Sequence, residues 1–284
     1  MRIEQGIIRE FDRYDEIVIP RDCIGISPDA YEDLAATADE RKCIDVEFGN
    51  ERLIVRKNCL IERESGRLIL GCKSSDIPDD GSVKIIGSHA FRGIGGLESD
   101  DRDCFSSVTL SDGLEVIEHH AFADSGLRHI ELPDSVRSIG AMAFMLTRLG
   151  IDGETVTIPE STEHIGAGML AGCTELCRLR VSGRNKRYAS ESDCIFDVKE
   201  KRLVAVHCGK FGEMLPSCVE SVEILCFFGH RSKSRYYFGE KIREIRKSPL
   251  DLPSFFEFPI IIVSPENSYA HNFAKENGIE YEKA

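Results

Sequence analysis

The chain has 284 residues and a net charge of −13, from 36 Lys and Arg against 49 Asp and Glu. That acid excess argues against nucleic acid as the partner, because gripping a duplex requires an electropositive face. No run approaches the roughly 18 apolar residues a helix needs to cross a bilayer, so the sequence predicts no membrane insertion.

Residues 1–12 hold Arg2, Glu4, Arg9, Glu10 and Asp12 among scattered isoleucines, with no apolar core of a secretory leader. The expectation is a cytoplasmic protein, or a secreted one whose leader has been removed. The next segment, Ile17-Val18-Ile19, ends at Pro20, and six residues after that proline comes Ile26, followed by Ala30-Tyr31. This arrangement then recurs along the chain. Isoleucine, often followed by glycine, leads to a small residue and an aromatic or aliphatic one: Ile86-Gly87-Ser88-His89-Ala90-Phe91, Ile117 to Ala121-Phe122, and Ile139-Gly140-Ala141-Met142-Ala143-Phe144. Weaker copies are Ile165-Gly166 to Met169-Leu170, Val222 to Cys226-Phe227, and Ile245 to Pro249-Leu250. Six residues before Ile117, Ile139, Ile165, Val222 and Ile245 stands a turn-forming residue: Ser111, Pro133, Pro159, Pro216 and Gly239.

The runs just upstream, Val108-Thr109-Leu110, Ile130-Glu131-Leu132 and Val156-Thr157-Ile158, alternate apolar with polar. A period of two is a strand signal, and proline at the strand end interrupts no ladder. Each unit reads as a strand, a turn and a return segment anchored by the marker and the Ala-Phe pair. One such unit cannot bury its apolar face alone, so the units must stack into a solenoid.

Two longer gaps between markers hold a second module. Cys59-Leu60-Ile61 and Arg67-Leu68-Ile69-Leu70 flank a polar loop, as do Cys194-Ile195-Phe196 and Arg202-Leu203-Val204-Ala205. Each reads as a β-hairpin. The expected inserts lie at about 46–72 and 186–208. At the end of the chain, 267–275 reads as a short helix stopped at Gly278, and 279–281 as an edge strand, together a cap over residues 264–284.

The phrases Leu132-Pro133, Val136 to Phe144, and Ile77-Pro78-Asp79-Asp80-Gly81-Ser82-Val83 leading into Ile85-Ile86-Gly87 resemble the BspA-like leucine-rich repeats, as does the tail from Asn267 to Ile279. The resemblance runs over nearly the whole chain, departing at 222–250 and at the insert 98–105. It implies a mainly β fold with short helical segments: a right-handed leucine-rich-repeat solenoid interrupted by two β-hairpin modules, with a C-terminal helix-strand cap, as a single domain over 1–284. It further implies a cell-surface or adhesion protein that binds host or matrix proteins, with no catalytic motif. An intracellular scaffold is the alternative, and a metal- or thiol-dependent enzyme stands third.

Chemical candidates in the sequence are sparse. Cys173 with Cys177, His119 with His120, and His207 with Cys208 are close in sequence, but no Cys-x2-Cys pair occurs and the pairs fall in different coils, so no metal site is expected. Asp100-Asp101-Arg102-Asp103 lacks the glycine turn and distal glutamate of a calcium loop. Gly93-Ile94-Gly95-Gly96 stops short of a phosphate-binding turn, since position 98 is Glu98. No cofactor and no enzymatic activity are expected. The eleven cysteines fill small apolar slots and are expected to be free thiols.

Strand register makes a binding surface more specific. Residues two and four before each turn must point outward. The resulting ladder comprises Glu16 and Val18, Ser107 and Thr109, His129 and Glu131, Thr155 and Thr157, then Arg178, Arg180, Arg235 and Tyr237. Arginine and tyrosine are common interface anchors, so Arg178, Arg180, Arg235 and Tyr237 are the candidate protein-binding residues. The neighbouring basic stretch, from Arg231 to Lys247, reads as a solvated surface.

Overall fold

Four of the marker isoleucines form one continuous ladder. The computed structural model describes residues 1–12, 15–36, 41–96, 105–176, 178–207, 213–229, 234–246 and 260–284. Within these, Ile86, Ile117, Ile139 and Ile165 are directly in register across short parallel strands. All four are buried, and sinking such a side chain stabilises by about 1.5–3 kcal/mol. A second ladder runs along the upstream strands. There Ser107–Val108 pairs with His129–Ile130, and Thr155–Ile158 with Arg178–Val181. The chain is therefore a mainly β solenoid, with α-helix at Pro28–Ala36 and Tyr269–Glu276.

The Ala-Phe pair closes each coil. Phe91, Phe122 and Phe144 stack nearly parallel, with ring centroids 5.3 and 5.6 Å apart, and Phe105 extends the stack at 4.8 Å from Phe91. Backbone bonds lace this side from coil to coil: Phe91 N–H donates to Ala121 O, Phe122 to Ala143 and Phe144 to Met169, at 2.8, 2.8 and 2.9 Å. Glycine after the marker permits that spacing. A Cβ on Gly140 would lie 2.4 Å from the His119 nitrogen, and one on Gly166 2.2 Å from the Ala141 nitrogen.

Where the sequence predicts two-strand hairpins, each module has three antiparallel strands. Leu53–Arg56, Cys59–Glu62 and Arg67–Leu70 form the first; Tyr188–Glu191, Cys194–Asp197 and Arg202–Val206 form the second. The extra leading strand is held by an asparagine in both copies. Asn50 and Asn185 each donate to two carbonyls of the preceding turn and accept from two amides at the start of the strand. The last strand of each module then joins the marker ladder in parallel, Leu68 beside Ile86 and Leu203 beside Val222. A third hairpin, absent from the sequence analysis, opens the chain. Arg2–Glu4 pairs with Ile7–Glu10, and Ile8 lies beside Ile26 in the same manner.

In the region 222–250, where the repeat phrase weakens, Val222 and Ile245 still pair in register. The cap forms as expected with a small shift. Ser268 accepts from His271 N–H at the start of the helix, and Gly278 turns with φ +67°. The closing strand is Tyr281–Lys283, two residues later than predicted, parallel to Ile260–Ser264. No helix among the described residues is long and apolar enough to cross a membrane.

Candidate binding surface

The outward register of the upstream strands holds. Glu16, Val18, Ser107, Thr109, Glu131, Thr155 and Thr157 are exposed, while Ile17, Ile19, Ile130, Val156 and Ile158 are buried and His129 is half-buried. Arg178 and Arg180 are exposed on either side of buried Leu179, and Arg235 and Tyr237 on either side of buried Tyr236. The four candidates do not share one sheet. Arg178 and Arg180 lie on the pair Thr155–Ile158 and Arg178–Val181. Arg235 and Tyr237 belong to a separate four-stranded parallel sheet with Glu213–Met214, Ile260–Ser264 and Tyr281–Lys283.

Two of the arginines already hold carboxylates. Arg180 is ion-paired with Asp193, whose Oδ1 also accepts from Leu179 N–H. The Arg235 guanidinium forks onto Glu282 with contacts of 2.8, 3.0 and 3.2 Å, and this hydrogen bond holds the Glu282 carboxyl below its ordinary range. Both guanidinium groups are exposed, so solvent screens these pairs and neither adds much to stability. A partner's acid must compete with these internal ones, whereas Arg178 is exposed without an ion pair to any described residue.

Sequence reasoning missed the apolar half of this face. Met214 sits directly beside Tyr237, and the two are 70% and 39% exposed. They border a groove of about 380 Å³ that also touches Leu215, Phe238, Ile242 and Val263. The register rule could have found Met214, since it stands two residues before Pro216.

The described members of the other chemical candidates sit among ordinary structural neighbours. Cys173 is fully buried and lies 3.3 Å from the Thr147 hydroxyl and 3.0 Å from Phe144 O. Burial pushes its thiol up to about 11, far from a reactive thiolate. His119 and His120 contact His89, with centroids at 5.1 and 5.0 Å, and burial lowers His89 to about 3. Among the described residues, no three His, Cys, Asp or Glu side chains converge as metal ligands. The acidic run 100–103, Cys177, Cys208, Arg231, Lys233 and Lys247 lie outside the described residues. The eight described cysteines are free thiols.

Residues 100–194 match the model described as "BspA type Leucine rich repeat region (6 copies)". A leucine-rich repeat protein from Eubacterium ventriosum is 16% identical, with a TM-score of 0.50 over 82% of this chain and 56% of its own. A leucine rich cell surface protein from Faecalibacterium prausnitzii is 17% identical, with a TM-score of 0.48 over 82% of this chain and 56% of its own. The pneumococcal vaccine antigen PcpA is 14% identical, with a TM-score of 0.45 over 95% of this chain and 56% of its own. The chain thus spans a little over half the length of these structures. At such identities the likeness is one of fold, carried here by the Eubacterium ventriosum structure. No curated protein matches the sequence.

Proposed function

From the premise that the chain belongs to the BspA-type leucine-rich-repeat family, we propose that it recognises another protein through its upstream sheet face. Residues 1–284 act as one continuous body in this reading, and Arg178, Arg180, Arg235 and Tyr237 contribute to the contact. The observation that carries it is the exposed Met214–Tyr237 pair beside an apolar groove. Methionine and tyrosine flanked by arginine match the composition of interface cores. The preferred setting is the cell surface, with a host or matrix protein as partner, which the family resemblance favours. The alternative is an intracellular scaffold, favoured by the eight free thiols, since disulfides are rare in reducing compartments.

Nothing in the site supports catalysis as a rival reading. The described cysteines with resolved shifts are all raised, with burial as the leading cause in each. The setting is tested by treating intact source cells with protease and probing for this chain. Loss of the chain while a cytosolic control survives supports the surface setting, and protection with recovery in the soluble lysate removes adhesion. The residues are tested by changing Arg178, Arg180, Arg235 and Tyr237 to alanine together. Unchanged binding to a partner captured by the native protein would remove the assignment.

A further inference from the structure

The marker ladder is interrupted twice, and the two interruptions are finished differently. Ile165 ends the long ladder, so its amide points toward a strand that is not there. Tyr188, at the start of the second hairpin module, fills the gap. Its hydroxyl accepts from Ile165 N–H at 3.0 Å, and it stands 3.5 Å from Glu163 O. The ring is buried, within electrostatic reach of Asp197 and Arg202.

Ile26 holds the matching place at the first interruption. Among the described residues its strand, Gly25–Ile26, pairs only with Ile7–Glu10 and forms a sheet edge. Ser27 N–H donates to Ile8 O, as Gly166 N–H donates to Ile139 O, so the Ile26 amide faces outward like that of Ile165. The residue matching Tyr188 is Leu53. Leu53 lies opposite Glu62 and follows Asn50 by three, as Tyr188 lies opposite Asp197 and follows Asn185. Leucine has no hydroxyl to offer, and among the described residues no hydrogen bond is made by the Ile26 amide.

In place of a side chain there is a cleft of about 480 Å³, bordered by Ile26, Tyr31, Arg67, Ser88, His89 and His119. Arg67 matches Arg202 of the second junction. Its fork is held by Glu118, which also takes Ser88 Oγ at 2.7 Å, so the cleft has no uncompensated charge from that pair. Tyr31 stacks on His89 at 5.8 Å, and its hydroxyl makes no hydrogen bond to a described residue.

We propose that this cleft is a binding site for a tyrosine side chain of a partner protein, whose hydroxyl accepts from Ile26 N–H as Tyr188 accepts from Ile165 N–H. The volume admits a phenol with part of its backbone. A neutral aromatic suits the walls: Tyr31 and His89 supply ring faces, and the compensated Arg67–Glu118 pair does not demand an ion. The proposal rests on the reading that the chain recognises protein, but it names a different surface from the upstream sheet face.

The test is a titration of the isotope-labelled full chain with N-acetyltyrosinamide, followed through the Ile26 backbone amide by NMR. The expected result is a saturable shift at Ile26. N-acetylphenylalaninamide, which has no hydroxyl, should bind about tenfold more weakly, the weight of one hydrogen bond to an otherwise unsatisfied amide. Leu53→Tyr, which puts the chain's own phenol at the gap, should abolish the response. No saturable shift in the native chain, equal binding of both probes, or a matching response to methyl glucoside would overturn the proposal, and these readings do not depend on any variant folding. Alanine at Arg178, Arg180, Arg235 and Tyr237 should leave the titration unchanged, so failure here is separable from failure of the sheet-face reading.

Discussion

The two hairpin junctions share a plan and differ in how much of it is buried. At the second, Asp197 is 0% exposed; it lies 2.9 Å from Arg187 and accepts from the Lys199 and Glu200 amides. Burial alone would raise its carboxyl, but the Glu200 amide and the Arg187 guanidinium outweigh that and hold it below the ordinary range. At the first, Glu62 pairs with Arg52 at 3.0 Å but remains 19% exposed, and the Ser65 hydroxyl helps hold it low. Tyr188 closes the second junction, and Leu53 leaves the first open. The lesson is that one scaffold, repeated with a single larger side chain, makes either a structural plug or a receptive cleft.

The sharpest way to break that comparison is to remove the two carboxylates. Asp197→Ala removes the acceptor of two amides and leaves Arg187 only its longer contact with Glu200, and should cost about 2–4 kcal/mol in denaturant unfolding. Glu62→Ala should cost about 1 kcal/mol or less, as expected of an exposed pair. Equal losses would mean the junctions are not energetically distinct. Next in size is Tyr188→Phe, which leaves the Ile165 amide buried without an acceptor and should cost about 1–3 kcal/mol. Leu53→Phe at the first junction removes no hydrogen bond and serves as the contrasting change.

Acid distinguishes the junctions differently. His89 lies on the wall of the first cleft, and burial lowers its pKa from 6.5 to about 3. The unfolded chain binds a proton below about pH 6.5 that the folded chain refuses, so stability from this site falls as pH drops from there toward about 3. His89→Asn should flatten that part of the pH-stability curve, and asparagine tolerates the φ of +59° found there. An unchanged slope between pH 6.5 and 4 would place the proton uptake elsewhere. The smallest effect is at the surface: Glu282→Gln should leave stability nearly unchanged, because solvent screens the pair it breaks. It should also strengthen binding of an acidic partner at Arg235, measured as a lower Kd.

Much of this architecture is legible in the residues, because the solenoid repeats a local pattern. The markers, the turn six residues earlier, the Ala-Phe pair and the outward register all follow from periods of two and from fixed spacing. The leading strand of the second hairpin module was not legible for a physical reason. Tyr188-Ala189-Ser190-Glu191 lacks the alternation of a strand, and its place is held by Asn185 reaching back to Pro159 and Thr162. The occurrence of asparagine before both modules was the available signal. The neutralising partners of Arg180 and Arg235 were equally hidden, since Asp193 and Glu282 are brought in by the hairpin and the cap rather than by strand neighbours. The cleft itself is a difference between two copies, and becomes visible only when Leu53 and Tyr188 are superposed by register.

The most direct test of the account is hydrogen exchange at the Ile26 and Ile165 amides of the native chain. Strong protection at Ile165, fast exchange at Ile26, and new protection at Ile26 on adding N-acetyltyrosinamide is the predicted result. An Ile26 amide as protected as that of Ile165 in the free protein would show that the first junction is already filled, and would contradict the account.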